Sequence, residues 1–248
     1  MNHDMVLATR HLTLRSAVRI LAEVLDLAVS PGEVLGILGP NGAGKSTLLA
    51  TLAGLHDPAD GTVELKGLPI AQLAPLERAR HLALLPQDDA GGYFGSVAEY
   101  VALGRFPHGD AHRDITPWLA AWELSALAQR PLATLSGGER QRARLAQVAA
   151  QEAGFVLLDE PLTHLDPAHQ AALLRWVRAE ADAGRGVALT LHDPNWAACH
   201  CDRLLFLYGD GRWQLGPPDE LLEPAALEAL YGPGTAALWK RSAAVQPV

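Results

Sequence analysis

The chain opens on short stretches in which apolar and polar positions alternate, with Val6, Ala8, Leu12, Leu14, Ile20, Val24, Leu27 and Val29 as the apolar members. Alternation at period two predicts short β-strands with one buried face. Pro31-Gly32 marks a turn. Val34–Leu38 is apolar throughout, as a parallel strand covered on both faces would be. A helical pattern follows over residues 45–53, and Gly54 stops it. Residues 62–66 read as a strand, and the stretch from about residue 88 to residue 150 reads as helix-rich. Phe155–Leu158 returns to buried strand, residues 169–183 to helix ended by Gly184, and residues 187–191 to strand. Residues 204–208 and 212–215 flank Gly209-Asp210-Gly211 and predict a hairpin. Two short helices close near Tyr231, and the tail from residue 236 to residue 248 is expected to be less ordered. The alternation predicts an α/β fold with a parallel-sheet core and a helical insertion.

With 248 residues, 49% of them apolar, the chain suits one such domain. Its apolar runs fall well short of the ~18 residues a membrane helix needs, so work at a membrane would require docking onto a spanning partner. Met1-Asn2-His3-Asp4 is not a basic segment followed by an apolar one, which predicts a cytoplasmic protein. A net charge of −8 speaks against a general nucleic-acid binder. The two cysteines, Cys199 and Cys201, match no common zinc spacing and read as inert thiols.

Three stretches carry chemistry. Gly39-Pro40-Asn41-Gly42-Ala43-Gly44-Lys45-Ser46 fits G-x-x-x-x-G-K-[ST], with Thr47 next, between a predicted strand and helix. Glycines let backbone N–H groups turn toward phosphates, and the helix presents its positive end to the same anion. Lys45 adds a full charge, and the Ser46 hydroxyl suits Mg²⁺. Phe155–Leu158 ends in Asp159 and Glu160. Asp159 suits Mg²⁺, and Glu160 suits orienting or deprotonating an attacking water. Leu135-Ser136-Gly137-Gly138-Glu139-Arg140-Gln141 precedes a helix expected over residues 140–151. Ser136 and Glu139 fit a capping box. Capping alone does not call for two glycines, which cost helix stability. Close approach of an anion does, and anion binding is the preferred reading.

On these motifs, in this order, the chain resembles the ABC ATPase family along nearly its whole length. The resemblance implies a P-loop NTPase fold of the ABC type: a RecA-like parallel-sheet core with an antiparallel β subdomain (1–87 and 152–235) and a helical subdomain (88–151), followed by a tail (236–248). It implies that ATP and Mg²⁺ are bound. Gln87 resembles the glutamine that senses Mg²⁺ and the γ-phosphate, and Asp166 lies in a segment similar to the family's D-loop. His192 resembles the family's switch histidine. Glu160, His192 and Gln87 would then form the catalytic set, with Ser46, Gln87 and Asp159 toward Mg²⁺. Ser136, Gly137, Gly138 and Glu139 would face the nucleotide of a second copy in a head-to-tail homodimer. Family members usually carry an early aromatic residue that stacks on adenine. Residues 12–21 hold none, and Arg15 or Ser16 stands in that neighbourhood: either an Arg15 guanidinium stacks on the base instead, or the base is held more weakly and selected less tightly.

The segment Val101-Ala102-Leu103-Gly104-Arg105-Phe106-Pro107-His108, with Leu165-Asp166-Pro167-Ala168-His169-Gln170 and His192-Asp193-Pro194-Asn195, is similar to importers of iron–siderophores, haem and cobalamin. That implies a permease partner, an external substrate-binding protein, no nucleic acid, and a place at the cytoplasmic face of the inner membrane. A soluble ATPase of iron–sulfur cluster assembly is the alternative. Length suits it, and the 101–108 segment does not.

Overall fold

The computed structural model describes residues 6–87, 92–110 and 112–238. In chain order its elements are β1 (Leu7–Arg15), β2 (Ile20–Leu25), β3 (Ala28–Val29), β4 (Val34–Leu38), α1 (Lys45–Leu52), β5 (Asp60–Leu65), β6 (Leu68–Pro69), α2 (Pro75–His81) and β7 (Leu82–Leu85). Then come α3 (Val97–Ala102), α4 (Thr116–Ala121), α5 (Gly137–Ala150), β8 (Phe155–Leu158), α6 (Pro167–Asp182), β9 (Gly186–Thr190) and α7 (Pro194–His200). The last are β10 (Arg203–Leu207), β11 (Trp213–Gly216), α8 (Pro218–Leu221) and α9 (Pro224–Tyr231).

One sheet runs β11-β10-β4-β9-β8-β7. All its pairings are parallel except that of β10 with β11, the expected hairpin. A second, antiparallel sheet runs β2-β1-β5-β6, with β3 on β1. The mixed α/β architecture is the expected one. Strand periodicity sends alternate residues to opposite faces, and here it builds two cores. Val34 and Leu38, Val156 and Leu158, and Leu204 and Phe206 pack toward the helices of the 97–200 region. Leu35 and Ile37, Phe155 and Leu157, and Leu205 and Leu207 pack toward α1 and the antiparallel sheet. Each such side chain, fully buried, is worth about 1.5–3 kcal/mol. Gly36 lacks a side chain where one would meet Cys201 Sγ at 2.7 Å.

Some elements depart from the sequence pattern. The strand expected over 62–66 starts at Asp60. The helix expected over 169–183 starts at Pro167, because Asp166 caps it. α2 and β7 were not marked by periodicity: α2 has no buried residue, and β7 is four residues long. A short 3-10 helix, Thr235–Leu238, opens the expected tail, and residues 239–248 lie outside the described residues.

Strand order positions the site. Ile37 pairs with Thr190, and Leu158 with Leu189, so the carboxyl ends of β4, β9 and β8 lie side by side. Ligands of open parallel sheets gather at such ends.

Candidate functional site

From β4 the chain turns into α1 through residues 39–44. A Cβ on Gly39 would lie 2.3 Å from the Leu207 carbonyl oxygen, so β10 leaves room only for glycine. Gly44 caps α1 at φ 105°, in the left-handed region, and no side chain bonds to that helix end. The first N–H groups of α1 are therefore left open by side chains, and with the helix dipole they can receive an anion. Lys45 is only 6% exposed and folds back over the loop. Its Nζ donates to the Gly39 carbonyl at 2.8 Å and the Pro40 carbonyl at 3.2 Å. Burial lowers the Lys45 pKa, while Glu160 and Asp159 favour its charged form.

β8 delivers Asp159 and Glu160, and Thr190 at the end of β9 ties them together. Thr190 Oγ1 donates to Asp159 Oδ1 at 2.9 Å and accepts from the Glu160 N–H at 2.6 Å. Glu160 sits at φ 47°, uncommon for a residue with a side chain, and the Thr190 bond helps hold it there. Such strain collects at functional sites. His192 Nε2 lies 2.9 Å from Glu160 Oε1. Across the cleft, Ser46 Oγ lies 3.4 Å from Gln87 Oε1.

A cleft of 690 Å³ joins these groups. Asn41, Gly42, Gly44, Lys45, Ser46 and Thr47 line one wall, and Gln87, Glu160 and His192 another. Gly39, Pro40, Ala43 and Asp159 do not line it, but adjoin or bond to residues that do.

The far end of the cleft is formed by Ser16, Val18, Arg19 and Leu21. Arg15, expected to stack on a base, is not among the lining residues. It ends β1, and a turn closed by Ser16 N–H to the Arg19 carbonyl, 2.9 Å, puts Arg19 at the cleft in its place. Arg19 Nη2 donates to the Gly42 carbonyl at 2.8 Å.

Ser136, Gly137, Gly138, Glu139 and Asp166 lie away from this cleft. The capping box forms: Ser136 N–H and Oγ donate to Glu139 Oε2 at 2.8 and 2.7 Å, and Glu139 N–H donates to Ser136 Oγ at 3.3 Å. These bonds hold the Glu139 carboxyl below its usual pKa. Hence α5 begins at Gly137, three residues before the expected start. Both glycines are backed by His164 of the D-loop segment, whose carbonyl would lie 3.0 Å from a Cβ on Gly138. Asp166 accepts from His169 N–H and faces His169 Nδ1, each at 2.9 Å.

Among the described residues, no group of three or more His, Cys, Asp or Glu is placed to hold a metal. Mg²⁺ needs few protein ligands when phosphate supplies the rest. Ser46, Gln87 and Asp159 offer the hard oxygen donors it takes, so they fit such an ion. Burial drives the Cys201 thiol pKa up, in keeping with an inert thiol. Sequence reasoning missed Thr190, whose only signal is a hydroxyl closing an otherwise apolar strand, and Arg19.

Residues 22–163 match the family described as ABC transporter. The chain is 46% identical over 217 residues to the hemin import ATP-binding protein HmuV of Pseudomonas putida, covering 84% of this chain and 85% of that protein. It is 44% identical over 236 residues to the protein of the same name from Pseudomonas aeruginosa, covering 92% of each. A solved inward-facing ABC transporter of the metal-chelate type superposes with a TM-score of 0.78 at 28% identity, over 92% of this chain and 89% of that one. A phosphate cradle, paired acids, a glutamine and a histidine converge on one cleft, the family model spans more than half of the residues, and the chain belongs to the ABC transporter family.

Proposed function

We propose that this chain is the ATP-hydrolysing subunit of an importer for a metal chelate, with haem as the first candidate ahead of iron–siderophores and cobalamin. The observation that carries this reading is the cleft: an open cradle, Glu160, Gln87 and His192 around one space, with Asp159 tethered behind Glu160 through Thr190. Relatives named for hemin import support haem.

In this reading the α1 amides and Lys45 bind the β- and γ-phosphates. Ser46, Gln87 and Asp159 would hold Mg²⁺, which supplies charge neutralisation at the phosphate oxygens. Glu160 orients the attacking water and takes its proton, held in place by Thr190. His192 turns from Glu160 toward the γ-phosphate and stabilises its charge in the transition state. A second copy, head to tail, lays Ser136, Gly137 and Gly138 over the nucleotide, because its own cleft lacks them. ATP binding closes the pair, hydrolysis reopens it, and the motion drives a permease fed by an external binding protein. The chain sits peripherally on the cytoplasmic face of the membrane, and no helix among the described residues is long and apolar enough to cross it.

The helices between β7 and β8 form the subdomain that meets the permease. There Leu103 is 46% and Phe106 68% exposed. The residues between and beside them face inward. A Cβ on Gly104 would meet the Gln147 carbonyl at 2.3 Å, and Arg105 Nη1 donates to the Ala150 carbonyl and Glu152, each at 2.8 Å. His108 Nε2 lies 2.8 Å from the Gln151 carbonyl oxygen. The segment is bolted to the end of α5, and Phe106 is left as an apolar contact for a partner.

The test uses tagged Glu160→Gln protein with ATP, pulled from membranes. The expected result is ATP retained, turnover down by about 10²-fold or more, and a multi-helix permease recovered, with ATPase activity of the wild-type complex stimulated by haem. Recovery of soluble proteins alone would overturn the importer reading, and retained turnover would remove Glu160 as the base.

A further inference from the structure

Arg144, on the second turn of α5, is 7% exposed. No carboxylate of the described residues lies within ion-pairing distance of it. Its partners are neutral: Nη2 donates to the Pro86 carbonyl, and Nη1 to Gln141 Oε1 at 3.0 Å and the Gln87 carbonyl at 3.5 Å. A buried guanidinium is costly to leave unsatisfied, so its hydrogen bonds to these acceptors matter. Arginine, with five donors in a planar fork, can serve several acceptors at once.

Those acceptors lie just past the end of a strand. The ladder between β7 and β8 ends with Asp159 N–H on the Leu85 carbonyl, 2.9 Å. Beyond it the Pro86 and Gln87 carbonyls have no sheet partner, and Arg144 supplies their donors. The neighbouring strand is treated alike. Beyond Asp159 and Glu160 the Pro161 carbonyl accepts from Gln141 Nε2 at 3.0 Å. Gln141, 4% exposed, stands three residues before Arg144, hence on the same face of α5. Two bonded side chains of one helix thus hold the segments that leave both strands, one carrying Gln87 and the other following Glu160.

We infer that Gln141 and Arg144 are positioning residues that lock Gln87 and the segment after Glu160 to the first turns of α5, the helix capped by Ser136. The inference rests on the roles proposed above for Gln87, Glu160 and Ser136. A displacement at the Ser136 end is then passed to the chain's own Gln87 through side-chain bonds rather than through the intervening loop.

The test compares Arg144→Met, Arg144→Lys and Gln87→Ala, singly and with Arg144→Met combined with Gln87→Ala. Arg144→Met fills the space without the donors. It is expected to lower kcat about tenfold, keep KM for ATP within about twofold, and keep Tm within about 4 °C. Hydrogen exchange at the Asp159 amide, whose acceptor Leu85 directly precedes the clamped Pro86, should rise about tenfold. Arg144→Lys, which keeps the charge and up to three donors, should recover most of the rate. In the Gln87→Ala background Arg144→Met should cost less than about twofold more, because coupled residues are not additive. Unchanged exchange at the Asp159 amide overturns the inference, whatever the rates. Additive losses, or a kcat loss that follows a fall in Tm, overturn it as well. If Gln87→Ala alone turns over like wild type, the role of Gln87 falls, and the exchange measurement still decides the clamp.

Discussion

The two glycine-bearing helix starts, at Gly44 and at Ser136, differ in one respect that decides what each can do. α1 begins on a glycine at φ 105° with no side chain on its amides, and a lysine folds across its mouth. α5 begins on a serine whose hydroxyl already accepts from Glu139 N–H, with the Glu139 carboxylate returning to Ser136. The first end is open, the second already occupied by its own residues. An anion can enter the first directly, whereas at the second it must compete with a bond in place and with a carboxylate beside it. On the proposed function the α1 end would therefore supply most of the nucleotide affinity. The α5 end suits a weaker contact that comes and goes within a cycle.

The sharpest break removes the charge at the open end. Lys45→Ala should cut nucleotide affinity about 100-fold or more, measured by titration calorimetry, because its ammonium lies across the mouth of the loop at Gly39 and Pro40, whereas Arg19 reaches only the Gly42 carbonyl. Wild-type affinity would dissolve the contrast. A smaller effect separates stability from turnover. Gly137 is helical, and the nearest atoms to a Cβ there belong to the His164 side chain, at 3.6 Å, an ordinary van der Waals contact. Gly137→Ala should fold and raise stability by roughly 0.5 kcal/mol, yet lower ATPase activity about tenfold as the methyl keeps phosphate away. Unchanged activity would mean that no anion approaches there. The smallest effect tests the cap. Ser136→Ala should cost about 1 kcal/mol, seen as a Tm fall of about 2–4 °C, with binding to a single copy unaltered in calorimetry.

The open end was readable in sequence because its whole chemistry is local: eight consecutive residues set both the turn and the charge. Apolar runs such as Val34–Leu38 and Phe155–Leu158 were readable for the same reason, since a strand buried on both faces has no polar position. Residues that act through distant backbone were not. Thr190 meets Asp159 across 31 positions, and Arg144 meets Pro86 across 58. No spacing announces such bonds. Arg15 does not line the cleft, because the turn after β1 reverses the chain and brings Ser16 and Arg19 to it instead. At Ser136 both the capping and the anion reading were visible. The helix start shows that the capping bonds are made, and the glycines keep the other reading open to test.

The pairing of β4 has a consequence for how the polypeptide comes to be folded. This strand, buried at all five positions, carries the cradle, yet its neighbours are β9 and β10. Val34 joins Val187, and Leu35 joins Arg203. About 150 residues must be synthesised after β4 before its first neighbour exists. At ribosomal speeds of ~5–20 residues per second, that leaves an apolar strand with two unpaired edges for roughly 8–30 seconds on the nascent chain. Pairings of such long range also form slowly. A chain interrupted before β9 would carry the entire phosphate loop and be unable to shape it, and would present Val34–Leu38 to chaperones.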